Sequence, residues 1–371
     1  MRFFNYLLPL FLLTLCSPAA AQDTDSICTR RVHWHVDAVS EGQWNMTEGR
    51  ANWANLLSAG MDVQTWRGGC AEIAVLATGH IGHAVADDMQ DLSNINAQNR
   101  AFRLTHLGLR HEWDKKIKGF VYFGLRQADE DYFNTDCAAL FTGSSYGCVP
   151  QAGDNIALGV YPDAALGIHA EIAPTDRWLI KASLYNGTAS DRLDRQFRFC
   201  PKSDGIAALG SVTFSPDWKP KGKGRDDESD CAFMPAYVVG YVAGRQADEE
   251  TGKLVGGGGV WASIDQPLFN MRRTTLALFA TGGTRFGRLD AARGHWAAGL
   301  LLDGLTRRGG TLGVGVSRAY YAYGRETDVE ITSTLPLCRW AELQPALHIV
   351  RTCGETATVG LLRLCICLEG K

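Results

Sequence analysis

The sequence predicts a transmembrane β-barrel, an all-β antiparallel sheet of sixteen strands closed on itself. Three observations carry this expectation. An export leader opens the chain, about sixteen segments of alternating apolar and polar residues follow it, and nothing after the leader is apolar for long enough to span a membrane as a helix.

The leader is read from Arg2, the apolar stretch Phe3 to Leu15 and the A-x-A site Ala19-Ala20-Ala21, so residues 1–21 are expected to be a signal peptide and Gln22 the mature start. Leu15 is too large for a lipoprotein site at Cys16. No proline-rich or serine-rich linker divides residues 22–371, which are expected to form one barrel domain. Without the leader the chain has 36 Lys and Arg against 40 Asp and Glu, a net charge of −4, and nothing points to a nucleic-acid partner.

Alternation is clearest near the C-terminus, where Leu362, Leu364, Ile366 and Leu368 share one face while Arg363, Cys365 and Cys367 share the other. Trp178, Ile180, Ala182 and Leu184 alternate with Lys181, Ser183 and Tyr185 in the same way. The segments run to about ten residues, the length a tilted strand needs to cross a bilayer; strands of soluble proteins run to about five or six. Strands are expected at 32–44, 54–66, 69–80, 100–113, 117–128, 162–174, 177–187 and 204–215. The second half supplies 235–247, 255–267, 272–284, 292–303, 309–321, 324–337, 340–352 and 355–369.

Connection lengths test the count, because bacterial barrels alternate short periplasmic turns with longer external loops. The joins after strands two, four, six, ten, twelve and fourteen are short, and those after three, five and seven are long. The join Ser215 to Met234 is long and charged where a turn belongs, so it is either a periplasmic insertion or a slip of register. The ten tryptophans lie mostly near predicted strand ends, as interfacial girdles require.

Of 11 cysteines, Cys16 lies in the leader, and the others show neither a C-x-x-C pair nor zinc spacing. Cys137 and Cys148 bracket one loop in an oxidising compartment and are the expected disulfide. His33 with His35, and His80 with His83, lack a matching carboxylate or cysteine set, so neither metal nor cofactor is expected. Gly143-Ser144-Ser145-Tyr146-Gly147 lacks the spacing of a nucleophile elbow, and Gly256 to Gly259 lacks the lysine of a phosphate loop and is read as easing a strand start.

Residues 65–187 contain Ser93-Asn94-Ile95, Arg103-Leu104, Gly124 to Phe133, the run Leu140-Phe141-Thr142-Gly143-Ser144-Ser145-Tyr146-Gly147, and Tyr161-Pro162 to Gly167. With Gly313 to Arg318 and Leu343 to Leu347, these resemble the carbohydrate-selective porin family, OprB. The resemblance implies a sixteen-stranded channel in a Gram-negative outer membrane, surrounded by lipid, for passive diffusion of mono- or oligosaccharides. It also implies a homotrimer where the family is related to the general porins, and leaves the oligomeric state open. The chain departs from the pattern in its high cysteine content and in ending Leu368-Glu369-Gly370-Lys371, without a terminal aromatic residue.

In general porins the third external loop folds inward and narrows the barrel, and Asp129 to Tyr161 is third by this count. Its carboxylates Asp129, Glu130 and Asp131 and its rings Tyr132, Phe133, Phe141 and Tyr146 are expected to line the constriction. Arg126, beside Tyr122 on an inward face, and Arg110, beside His106, are expected across from those carboxylates, with Lys181 and Arg363 also in the lumen. The alternative for the loop is an ordinary solvated one. The alternatives for the chain are a general outer-membrane porin, a barrel lipid hydrolase, which would need an outward Ser and His pair, or a soluble periplasmic β-protein.

Overall fold

The computed structural model describes residues 32–370 apart from 83–84, 87, 96–99, 191, 219–232, 248–250, 272–273, 290 and 307. The leader, its cleavage site near Ala21 and most of the insertion after strand eight lie outside the described residues. The first eight strands are β1 Val32–Asn45, β2 Ala51–Trp66, β3 Gly69–Gly82, β4 Arg100–Asp114, β5 Lys118–Arg126, β6 Ala165–Thr175, β7 Trp178–Asn186 and β8 Ile206–Phe214. The rest are β9 Ala236–Ala247, β10 Leu254–Met271, β11 Thr274–Gly287, β12 Ala292–Thr306, β13 Gly309–Tyr321, β14 Arg325–Cys338, β15 Ala341–Thr352 and β16 Glu355–Gly370.

Each strand pairs with the next, and β16 pairs antiparallel with β1 from Trp34 opposite Gly370 to Asn45 opposite Val359. Closure leaves no edge, which a sheet in hydrocarbon cannot tolerate because lipid offers its backbone groups no partner. β5 and β6 are shorter than the sequence suggested, because the chain leaves the wall at Arg126 and rejoins it at Ala165.

β8 and β9 pair without a break from Ile206 opposite Arg245 to Phe214 opposite Tyr237. The register therefore does not slip, and the charged segment between them is an insertion at the short-turn end of the barrel. Its last part, Phe233, is buried against Phe279, Ala277 and Leu301.

The outer face carries exposed apolar side chains such as Phe123 (61%), Val239 (64%) and Leu362 (52%), as a lipid-facing surface does. Trp34, Trp44, Trp53, Trp66, Trp178, Trp296 and Trp340 are exposed on it. Trp261 departs from the girdle: it is buried in the lumen and packs on Phe133 at 4.7 Å.

Along β16, Leu362 and Leu368 are exposed, and Arg363 and Cys365 border a cavity in the lumen. Ile366, on the outward face, is covered by Val36 and Cys338. Replacing Leu364 by Arg is expected to cost about 2–4 kcal/mol in lipid vesicles near the midplane, and Cys365→Arg much less. Equal losses in an unfolding titration would contradict the assignment of faces.

Candidate functional site

The segment between β5 and β6 lies inside the barrel. It contains a 3-10 turn, Ala138–Leu140, and two one-turn helices, α1 Ser144–Gly147 and α2 Pro150–Gly153, too short to stand without packing. α1 packs on β13, and α2 on β10, β11 and β12.

At its base, Arg126 donates from Nε and Nη2 to the two carboxylate oxygens of Asp131, both at 2.6 Å. Lys181 Nζ donates to the Asp131 carbonyl at 3.0 Å and lies 3.0 Å from Glu171. His169 bridges Ser183 at 2.7 Å and Glu171 at 3.1 Å. Tyr122 is buried, donates to the Leu125 carbonyl at 2.7 Å and lies beneath the Arg126 guanidinium. His106 meets Glu130 at 3.0 Å. Burial pushes the Asp131 carboxyl up, and the Arg126 charge and hydrogen bonds more than reverse this, holding it well below the usual carboxylate range.

At the tip, Glu330 of β14 accepts from Thr142 N at 2.8 Å, Thr142 Oγ1 at 2.9 Å and Gly143 N at 3.2 Å. Asp265 of β10 accepts from Thr135 Oγ1 at 2.8 Å and Cys137 N at 2.9 Å. Asn155 exchanges two hydrogen bonds with the backbone of Ala292. Wall carboxylates thus satisfy loop N–H groups that folding has removed from water.

Phe141 and Tyr146 stack at 4.6 Å on inward glycines of β13, where a Cβ on Gly315 would come within 2.6 Å of the Phe141 ring. Gly259 and Gly283 make equivalent room for Gln151. The glycine run 256–259 is therefore more than a strand start: part of it seats the loop.

A second loop, between β3 and β4, also turns inward, which the sequence did not announce. Val85, Ala86 and Leu92 pack on Val350, Val359 and Leu361, and Met89 N and Gln90 N donate to Glu326 at 2.7 and 3.1 Å. It braces the first loop through Asn94 N to the Thr142 carbonyl at 2.7 Å and Ser144 N to the Asp91 carbonyl at 3.0 Å.

Between these loops and the wall of β1, β2 and β14 to β16 lies a cavity of about 620 Å³. Asp37, Asp91, Asp129, Glu130, Asp154 and Glu342 border it, and Arg363 is the one basic residue on it among the described residues. Arg363 is held at 2.6 Å by Glu41, so the lining is acidic. Asp129 is only partly covered by side chains but lies deep in the barrel, and burial there pushes its carboxyl up to about 7.

Several expectations need correction. Tyr132, Phe133, Phe141 and Tyr146 are buried and fasten the loop to the wall, leaving Tyr161 and Tyr321 as the rings on the cavity among the described residues. Arg126 and Arg110 do not face free carboxylates across a gap: Arg126 is neutralised by Asp131, and Arg110 meets Glu112 at 2.8 Å and covers the Phe120 ring at 3.9 Å. Cys137 and Cys148 are free thiols in different packing clusters, Cys137 beside Phe141 and Cys148 against the cluster of Val149 and Trp261, so they do not bridge. Of the expected lumen residues, Asp129, Glu130 and Arg363 reach the cavity.

Replacing Arg126 by Ala is expected to act through loop position. It strands Asp131 in a buried pair whose rupture costs about 3–5 kcal/mol, so the loop base should loosen and open-channel noise rise in single-channel recordings. Arg126→Lys, with no planar fork, should recover only part of the quiet state. A silent R126A variant would remove this role.

The chain matches the family described as carbohydrate-selective porin, OprB family, over residues 77–330. The comparison with curated proteins finds no match. Among solved structures it is similar to Pseudomonas putida OprB at high pH, with 13% identity, a TM-score of 0.70, and 91% of this chain and 93% of that chain covered. The low-pH structure of the same protein gives 13% identity and a TM-score of 0.60 over 96% of this chain and 100% of that one. Outer-membrane expressed OmpT of Vibrio cholerae gives 9% identity and a TM-score of 0.56 over 91% and 97%. These likenesses show the shared barrel. The family match spans more than half of the sequence, and the chain therefore belongs to the carbohydrate-selective OprB family of outer-membrane porins.

Proposed function

We propose that this porin lets sugars diffuse passively through the cavity beside the infolded loops, without chemistry on the solute. The observation that carries this reading is the constriction itself. Two loops are tied to the inner wall by buried carboxylates, and a polar cavity of about 620 Å³ remains. Gln90, Asn94, Gln127, Asn134, Ser144 and Gln344 border it and can exchange hydrogen bonds with sugar hydroxyls as water is shed. Tyr161 and Tyr321 supply ring faces for the apolar side of a pyranose. With two rings on the cavity among the described residues, selection is by shape and polarity, and a conducting site must release what it admits.

Swelling of vesicles containing the purified chain tests this. Glucose and a disaccharide should enter faster than uncharged non-sugar solutes of equal size, and glucose should block the ion current. Entry governed by size alone, without block, would leave a general porin in its place.

A further inference from the structure

We infer that the short-turn rim carries a binding site for the phosphate headgroup of anionic phospholipid, formed by the adjacent β2–β3 and β4–β5 turns. Short turns face the periplasm in bacterial barrels, so the lipid comes from the inner leaflet of the outer membrane.

The two turns form one surface. Glu112 N donates to the Gly68 carbonyl at 2.6 Å, and Trp66 Nε1 donates to His111 Nδ1 at 3.1 Å with the two rings stacked. Arg67 from one turn and Lys115, Lys116 and Lys118 from the other are exposed on it, and among the described residues none of these four has an ion-pair partner. The nearby acids are few: Glu112 is engaged by Arg110 at 2.8 Å, and Asp114 alone lies among the four cations in sequence.

Charge alone would make only a solvated edge. Here two indoles lie beside it, each over a glycine: a Cβ on Gly69 would fall inside the Trp66 ring, and one on Gly119 would come within 2.7 Å of Trp113. Trp66 and Ile117 are exposed, so an apolar shelf at the level of the turns adjoins four cations. That combination matches a phospholipid at the interface, with its glycerol and upper acyl chain on the indole and its phosphate among the cations. A soluble anion would have no use for the shelf.

Native mass spectrometry of the full chain, released from detergent with lipids added, tests the site. Phosphatidylglycerol should be retained about tenfold more than phosphatidylcholine, and the variant R67A/K115A/K116A/K118A should fall to the phosphatidylcholine level. K115R/K116R/K118R should keep the preference, and R198A/K202A, in the loop after β7, should leave it unchanged. If the fourfold variant fails the unheated-gel test for a folded barrel, the single changes Arg67→Gln and Lys116→Gln each provide a partial loss. The site is overturned by equal retention of the two lipids or by a preference that survives the folded charge variants. Displacement of the bound lipid by inorganic phosphate at equal concentration, or by lipid A in preference to phosphatidylglycerol, also overturns it.

Discussion

Deleting Ala138 to Gly153 is expected to raise single-channel conductance roughly twofold or more, because a sixteen-stranded wall encloses an aqueous channel unless something fills it. This segment and the β3–β4 loop that braces it supply the filling. Phe141 and Tyr146 are each 1% exposed, Val149 1% and Ala152 0%, all packed on the wall or on one another. Burying rings of that size stabilises the infolded state by about 2–3 kcal/mol each, so the loop rests in a defined position. The barrel should survive the deletion, since every strand pair is made by wall residues outside it. A subtler variant separates widening from truncation. Gly315→Leu leaves the loop intact but occupies the seat of Phe141, and should raise conductance in the same direction with more noise. Unchanged conductance in both variants would place the narrowest section elsewhere.

The wall of this barrel was legible in the sequence because lipid on one side and water on the other impose period two on every strand. Even the irregular join after β8 was visible as an anomaly, and the unbroken pairing of Phe214 with Tyr237 settles which of its two explanations holds. The interior was much less legible. Phe141 and Tyr146 look alike in sequence whether they line a passage or fasten a loop, and what decides is the small size of Gly313 and Gly315, far along the chain. The β3–β4 loop has the polar composition of any solvated loop, and its fate depends on Glu326 accepting its backbone N–H groups. The acidic lining had no local signature either: closure of β1 on β16 gathers Asp37 and Glu342 around Arg363, and Glu41 then cancels that residue's charge.

From that lining follows an expected preference for cations, measured as a reversal potential in a potassium chloride gradient. Asp37, Asp91, Asp129, Glu130, Asp154 and Glu342 border the cavity and, among the described residues, only the paired Arg363 stands against them. The preference should depend on pH in a defined direction. Asp129 titrates near 7 because burial disfavours its charged form, and burial raises Asp91 as well. Glu130 behaves differently: burial raises it, but His106 outweighs this and lowers it, so it keeps its charge further into acid. Raising the pH through 7 therefore adds negative charge at Asp129, and lowering it removes that charge first. A unit charge about 7 Å from the ion path is worth about 0.6 kcal/mol in water, with opposite signs for a cation and an anion. The permeability ratio should then fall about two- to sevenfold between pH 8 and pH 5.5, most clearly at low salt, where screening is weak. Asp129→Asn should remove the step near pH 7 and leave a smaller preference from the remaining acids, which weakens only at lower pH, where Asp154, pushed by burial up to about 6, takes up its proton. A ratio that rises on acidification, or an Asp129→Asn channel that keeps the step, would show that this carboxylate does not face the ions.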